Sequence, residues 1–386
     1  MAGGIVIIGA GQAAAQAVAS LRTEGYAGAL TIVGDEPFAP YQRPPLSKTY
    51  LAGTFERERL FLKPDAFYAE ARCELILGVA ARAIDRAGKT VALAGGRTLA
   101  YDKLLLATGS RVRRIQVPGA DLPGIHYLRD IADVDRLRPA FQTAKHLAVV
   151  GGGYIGLEVA AVARKYGLAV TVFEAMDRVM VRAVSKPISS FYEKVHREAG
   201  VAFQLNTGVE AFEGEGEGAL AAIRAGGKTY PADVALVGIG ILPNCELAKA
   251  AGLKFGDGIH VDEFCVTSDP DIFAAGDCTR HHGHDGALIR LECVQNAIDQ
   301  AKHAALAMVG RPTPYKEVPW FWSDQYDLKL QIAGLAGPDD RIVMRGDPAT
   351  RKFAVFHLRE GRVAAVEAVN AAPEYIVGRR LIAGRE

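Results

Sequence analysis

Two glycine clusters carry the clearest chemical signal in the chain: Gly9-Ala10-Gly11-Gln12-Ala13-Ala14 and Gly151-Gly152-Gly153-Tyr154-Ile155-Gly156. Side-chain-free positions at this spacing let an anionic group approach bare backbone, and the pyrophosphate of a dinucleotide is the usual occupant. A second signal follows each cluster after about twenty residues. Asp35 closes Thr31-Ile32-Val33-Gly34, and Glu174 closes Val170-Thr171-Val172-Phe173. A carboxylate at that place accepts hydrogen bonds from a ribose diol. Two complete constellations in one chain imply two dinucleotides bound close together, with hydride transfer between them as the chemistry. Glu174 repels a 2′-phosphate, which favours NADH over NADPH in the second cradle. Arg178 and Arg182, just beyond it, keep the phosphorylated cofactor open.

Each cluster needs a strand before it and a helix after it. Gly4-Ile5-Val6-Ile7-Ile8 and His146-Leu147-Ala148-Val149-Val150 are continuous apolar runs of the kind that form buried parallel strands. A first half-domain is expected to close at Lys103-Leu104-Leu105-Leu106-Ala107-Thr108-Gly109-Ser110, and a second at Val234-Ala235-Leu236-Val237-Gly238-Ile239-Gly240. Asp271-Ile272-Phe273-Ala274-Ala275-Gly276-Asp277 is predicted to be a strand that delivers a carboxylate to a helix start, returning the chain to its first domain. From Tyr315 onward, alternation in Trp320-Phe321-Trp322, Leu328-Lys329-Leu330-Gln331-Ile332 and Phe353-Ala354-Val355-Phe356-His357-Leu358 predicts a third, α+β domain. The expected domains are therefore 1–113 with 241–314, then 114–240, then 315–386, the first two being an internal repeat of fold.

Composition narrows the class. With 45 Lys and Arg against 44 Asp and Glu, the net charge is +1, which excludes a general role on nucleic acid or membrane surfaces. A hydrophobic fraction of 49% is enough for sizeable cores. The five cysteines, Cys73, Cys245, Cys265, Cys278 and Cys293, are dispersed and never spaced as Cys-x-x-Cys. Redox-active disulfides and iron–sulfur or zinc clusters are thereby disfavoured, so electrons must leave directly from a bound cofactor. No basic leader precedes Ile5–Ile8, and a cytoplasmic location is expected. His281, His282 and His284 form a histidine-rich stretch, but a polar loop with Gly283 and no companion ligands is the expected reading, with no metal.

Four further stretches carry a resemblance. Pro40-Tyr41-Gln42-Arg43-Pro44-Pro45-Leu46-Ser47-Lys48, Ala275-Gly276-Asp277-Cys278, Leu291-Glu292-Cys293-Val294-Gln295-Asn296-Ala297 and Val318-Pro319-Trp320-Phe321-Trp322-Ser323-Asp324-Gln325 resemble the FAD-dependent ferredoxin reductases that serve bacterial cytochrome P450 and Rieske oxygenase systems. The resemblance spans essentially the whole chain, although members typically carry a tail beyond the point where this sequence ends. It implies a glutathione-reductase-like α/β fold, with two Rossmann-like dinucleotide-binding domains plus a C-terminal α+β domain. It implies FAD in the first cradle, with Gly9, Gly11 and Ala13 at the pyrophosphate, Asp35 at the adenosine ribose, and Arg43 and Lys48 on the flavin side. Ala81, Arg129, Asp277 and Val294 fall at further FAD positions, with Thr108 and Gly109 beside them, and Trp320 lies against the flavin. Gly151, Gly153, Ile155, Gly156, Glu158, Glu174, Arg182 and Gly240 are expected to border NADH.

A cation beside the flavin stabilises the charge that builds on reduction, so Lys48 is an expected catalytic residue with Glu158 beside it, and the resemblance implies Trp320 as the third. Lys48 and Glu158 are expected to pair across the domain interface. A two-iron, two-sulfur ferredoxin would dock near Trp322, with Lys302 and Lys329 as a local basic patch. Rubredoxin reductase, monodehydroascorbate reductase and an apoptosis-inducing-factor-like NADH-binding scaffold are the competing readings. A peroxide-forming NADH oxidase is a further one, although no cysteine is framed for it.

Overall fold

The strand Ile5–Ile8 shows why an unbroken apolar run is needed at this place. Ile5 and Ile7 enter one core with Leu30, Ile32 and Leu105, while Val6 and Ile8 enter a second core with Val33, Leu104 and Leu106. A strand whose side chains alternate between two buried faces has no polar face to spare. The computed structural model describes residues 3–215, 218–283 and 286–385. Two compact units are present: 1–42, 57–111 and 242–319 make the first, and 43–56, 112–241 and 320–386 make the second.

The first unit is built on a parallel sheet in the order Ile272–Ala274, Lys103–Leu106, Ile5–Ile8, Leu30–Val33, Cys73–Ile76. The helix Gln12–Thr23 leaves the central strand through the first glycine cluster and packs against the helix Val294–Met308. An antiparallel meander, Ala81–Asp85, Thr90–Leu93 and Thr98–Ala100, belongs to the same unit.

The second unit repeats the plan. Its parallel sheet runs Val201–Gln204, Ala169–Phe173, His146–Val150, Val234–Val237, Ile125–His126, and the helix Tyr154–Lys165 leaves the central strand through the second cluster. It too carries a meander, Val209–Glu215, Ala219–Ala225 and Lys228–Pro231. Joined to it is an antiparallel sheet in the order Trp320–Gln325, Leu328–Gly334, Arg362–Val369, Lys352–Arg359, Arg341–Asp347, covered by the helix Ala372–Gly384. Two dinucleotide-type sheets and a C-terminal α+β domain are thus all present.

One element differs from expectation. Asp277 does not open a helix: after the turn at Gly276 the chain enters the strand Thr279–His282, and the next helix begins only at Val294. Local hydrogen bonding explains this. Gln300 Oε1 accepts from Gly276 N at 2.8 Å and from Thr279 Oγ1 at 2.8 Å, and His260 pairs with Arg280 in a parallel bridge, so the segment's polar groups are spent in the sheet.

Candidate active site

In the first unit the two glycines of the cluster serve different ends. Gly9 has φ +111°, and a Cβ there would lie 2.1 Å from the Ala107 carbonyl oxygen, so the fold itself demands glycine. Gly11 has φ −117°, and a Cβ would meet nothing within 4 Å. Among the described residues nothing requires glycine at this second position. It keeps open a space at the amino end of the helix Gln12–Thr23, where backbone N–H groups and the helix dipole favour an anion. Ala13 is buried in the first helical turn, and Asp35 is exposed just past the strand Leu30–Val33. The cradle therefore fits a dinucleotide.

The other residues expected here are fixed by local bonds. Asn244, not anticipated from the sequence, clasps Thr108 and Gly109: Thr108 Oγ1 donates to Asn244 O at 2.7 Å, Asn244 Nδ2 to Thr108 O at 2.9 Å, and Asn244 N to Gly109 O at 2.9 Å. Asp277 accepts from Ser110 Oγ at 2.8 Å. Val294 is the first residue of its helix, and Ala81 opens the meander.

The second unit repeats this division of labour. A Cβ on Gly151 would lie 2.4 Å from Gly238 O and one on Gly156 would lie 2.3 Å from Gly151 O, whereas one on Gly153 meets nothing within 4 Å. Ile155 is exposed in the first helical turn. Glu174 is held at the strand end, its Oε2 accepting from Gly152 N at 2.7 Å and its Oε1 from Met176 N at 2.9 Å. Arg178 is partly engaged by the loop it sits in, donating to Val184 O and Val181 O at 2.9 Å each. Arg182 is exposed, with its guanidinium near Gly240.

Between the cradle and the C-terminal sheet of this same unit lies a buried ionic centre. Lys48 Nζ is 2.9 Å from Glu158 Oε2, with exposures of 16% and 4%. Ser47 Oγ donates to Oε2 at 2.5 Å and Ser323 Oγ to Oε1 at 2.6 Å. Lys48 also donates to Pro44 O at 3.2 Å. A carboxylate taken out of water needs such partners.

The pair was expected to bridge two domains; instead it is internal to the second unit, because the segment 43–56 packs there. The reasons are visible in its side chains: Leu46 and Leu51 are fully buried, Tyr50 OH donates to Asp135 at 2.9 Å, Tyr166 OH donates to Leu51 O at 3.2 Å, and Arg43 Nη1 donates to Arg129 O at 2.6 Å. Ser47 and Ser323 were not singled out from the sequence, although both stand inside the runs that carried the resemblance.

Trp320 begins the first strand of the C-terminal sheet. Its ring lies 5.6 Å from that of Trp322 and 6.5 Å from that of Tyr375, with the Arg379 guanidinium 5.8 Å away. Its buried Nε1 has no hydrogen-bond partner among the described residues. Lys329 is exposed on the next strand, whereas Lys302 belongs to the first unit and pairs with Asp299 at 3.0 Å.

The histidine stretch is divided: His281 is buried beside Tyr315 and Gln300, His282 is exposed, and His284 lies outside the described residues. All five cysteines are free thiols. Burial pushes Cys73, Cys245 and Cys293 up to about 11 and raises Cys265 and Cys278 as well, so none is a thiolate at neutral pH. Among the described residues no helix is long and apolar enough to cross a membrane.

Two glycine cradles of one plan, each on a parallel sheet, define a two-dinucleotide oxidoreductase fold. Residues 3–305 match the family model for pyridine nucleotide-disulphide oxidoreductases, and residues 320–386 match that for the reductase C-terminal domain. The chain is 46% identical to a probable ferredoxin reductase of Castellaniella defragrans, over 98% of this chain and 93% of that one. It is 45% identical to rhodocoxin reductase of Rhodococcus erythropolis, over 98% and 89%. A solved structure of a covalent putidaredoxin reductase–putidaredoxin complex superimposes with TM-score 0.96 at 41% identity, over 99% of this chain and 93% of that one. The chain belongs to the pyridine nucleotide-disulphide oxidoreductases, and within them to the ferredoxin reductases.

Proposed function

We propose that the protein is an FAD-dependent NADH:ferredoxin reductase that delivers single electrons to a two-iron, two-sulfur ferredoxin serving a cytochrome P450 or Rieske oxygenase. The duplicated cradle carries this reading: at Gly11 and Gly153 alike, a ligand accounts for glycine and nothing among the described residues does. FAD accepts a hydride from NADH and can return its electrons singly, giving overall NADH and two oxidised ferredoxins to NAD⁺, two reduced ferredoxins and a proton. The chain's part is placement. Residues 1–113 with 241–314 bind FAD, 114–240 bind NADH, and 315–386 supply Trp320 and the acceptor face near Trp322 and Lys329. Lys48 holds positive charge on the flavin side, oriented by Glu158, Ser47 and Ser323. Protonated, unpaired thiols offer no disulfide route, which supports direct transfer to the acceptor. A cytoplasmic location belongs to the same proposal.

Cofactor choice tests the assignment of the second cradle. With a [2Fe–2S] ferredoxin as acceptor, kcat/KM for NADH should exceed that for NADPH by about tenfold or more, and Glu174→Ala should shrink the preference. Better use of NADPH by the unaltered protein would contradict the role given to Glu174.

A further inference from the structure

Behind Glu158 runs a line of buried polar groups that placement of the cofactors leaves unused. Gln325 Nε2 donates to Ser323 Oγ at 3.1 Å, Gln325 Oε1 faces His196 Nε2 at 2.8 Å, and Tyr326 OH faces His196 Nδ1 at 3.1 Å. Ser323, Gln325 and His196 are essentially sealed from solvent, with exposures of 0%, 1% and 0%. The chemistry of the groups sets the direction of every bond. An amide oxygen only accepts, so His196 carries its proton on Nε2, and Nδ1 is left to accept from Tyr326 OH. Gln325 then donates to Ser323, and the Ser323 hydroxyl is free to donate to Glu158 alone. All four bonds point from Tyr326 toward the carboxylate.

Hydrogen bonds aligned head to tail polarise one another, so the bond that reaches Glu158 is strengthened by the ones behind it. The amide at Gln325 transmits this polarisation but is no stepping stone for a proton, which makes the line an orienting device and not a conduit. Tyr326 itself sits at φ +56° in the turn between Trp320–Gln325 and Leu328–Gly334, a left-handed conformation unusual for an aromatic residue. Glycine or asparagine would relieve that turn. Tyrosine supplies instead the terminal hydroxyl and a ring 4.9 Å from the imidazole.

We propose that His196 and Gln325 are positioning residues for the Lys48–Glu158 pair: the one-way line Tyr326, His196, Gln325, Ser323 fixes the Glu158 carboxylate and, through it, the ammonium on the flavin side. The proposal rests on the reading of Lys48 given above. Burial supports it by driving His196 down to about 4, so the imidazole is neutral throughout the working range.

The test has two arms, both on full-length holoprotein. In the first, ¹⁵N-histidine NMR should show His196 in the Nε2–H tautomer and unchanged from pH 5.5 to 8; an Nδ1–H tautomer, or titration within that range, overturns the proposal whether or not the protein turns over. In the second, stopped-flow reduction of the flavin by NADH compares variants. Gln325→Glu keeps the shape but sets an acceptor against Ser323, and the reduction rate should fall about tenfold while the Kd for NADH changes less than twofold. His196→Leu should behave alike, and His196→Gln, which keeps a donor for Gln325, should recover most of the rate.

Tyr326→Phe removes only the last hydroxyl and keeps the ring, so it guards against a misfolded core variant. It should shift the His196 Nδ1 resonance and slow reduction about threefold. Unaltered rates in Gln325→Glu and Tyr326→Phe would reduce the line to packing and overturn the proposal. Failure of NADH to reduce the wild-type flavin would instead sink the functional reading, and the NMR arm would still decide the tautomer.

Discussion

Glu158 accepts from Lys48, Ser47 and Ser323 at once, and its neighbour Lys48 is the only one of the three that brings charge. On the proposed reading, replacing Lys48 by Gln would remove a cation that opposes negative charge on the reduced flavin. Reduction by NADH should then slow by at least roughly tenfold, and the flavin midpoint potential should fall, as stopped-flow and potentiometric measurements would register. An unchanged rate and potential would remove Lys48 from the mechanism. His196 gives a pH prediction. Its folded value of about 4 lies below the ordinary 6.5, so between these pH values the unfolded chain takes up a proton that the folded chain refuses. Its contribution is complete above 6.5 and is lost as pH falls toward 4, by up to roughly 3 kcal/mol in urea unfolding; His196→Leu should flatten that slope. The pairing of Lys48 with Glu158 was legible in the sequence because Lys48 stands in a run that carries the resemblance and Glu158 falls two residues after the second glycine cluster. Ser323 was not, since its bond to Glu158 joins residues 165 positions apart and no local spacing encodes it.

At the scale of elements, each strand–glycine–helix unit contains glycines that the fold demands, Gly9 in the first and Gly151 and Gly156 in the second, and one, Gly11 or Gly153, whose Cβ would meet open space. Gly9→Ala should destabilise the protein by several kcal/mol, because its Cβ would enter the Ala107 carbonyl at a φ that side chains avoid. Gly153→Val should leave the unfolding transition nearly unmoved, because a Cβ there meets nothing within 4 Å, and raise KM for NADH by roughly tenfold or more if that space takes the pyrophosphate as proposed. Equal loss of stability in both variants would refute the distinction. The parallel strands were readable beforehand, since strands covered on both faces must be apolar at every position. The strand after Asp277 was not, because its polar run Thr279-Arg280-His281-His282 shows no alternation and is fixed by Gln300, which lies on a distant helix. Nor was the allegiance of 43–56 to the second unit, which depends on where Leu46, Tyr50 and Leu51 find partners.

Taken as one molecule, the chain has a near-neutral net charge of +1 and matches ferredoxin reductases along 98% or more of its length. No bulk electrostatic field selects its acceptor, so recognition has to rest on a local surface. Cysteines that remain protonated thiols offer no disulfide relay, and a bound flavin is a group that can convert a two-electron donor to one-electron delivery. Anaerobic titration of the purified protein examines this most directly. It should be isolated yellow, be bleached by about one equivalent of NADH, and regain its colour on addition of about two equivalents of an oxidised [2Fe–2S] ferredoxin, whose reduction appears in the spectrum. A colourless protein that cannot retain flavin after reconstitution, or a reduced flavin from which no iron–sulfur protein draws electrons, would contradict it.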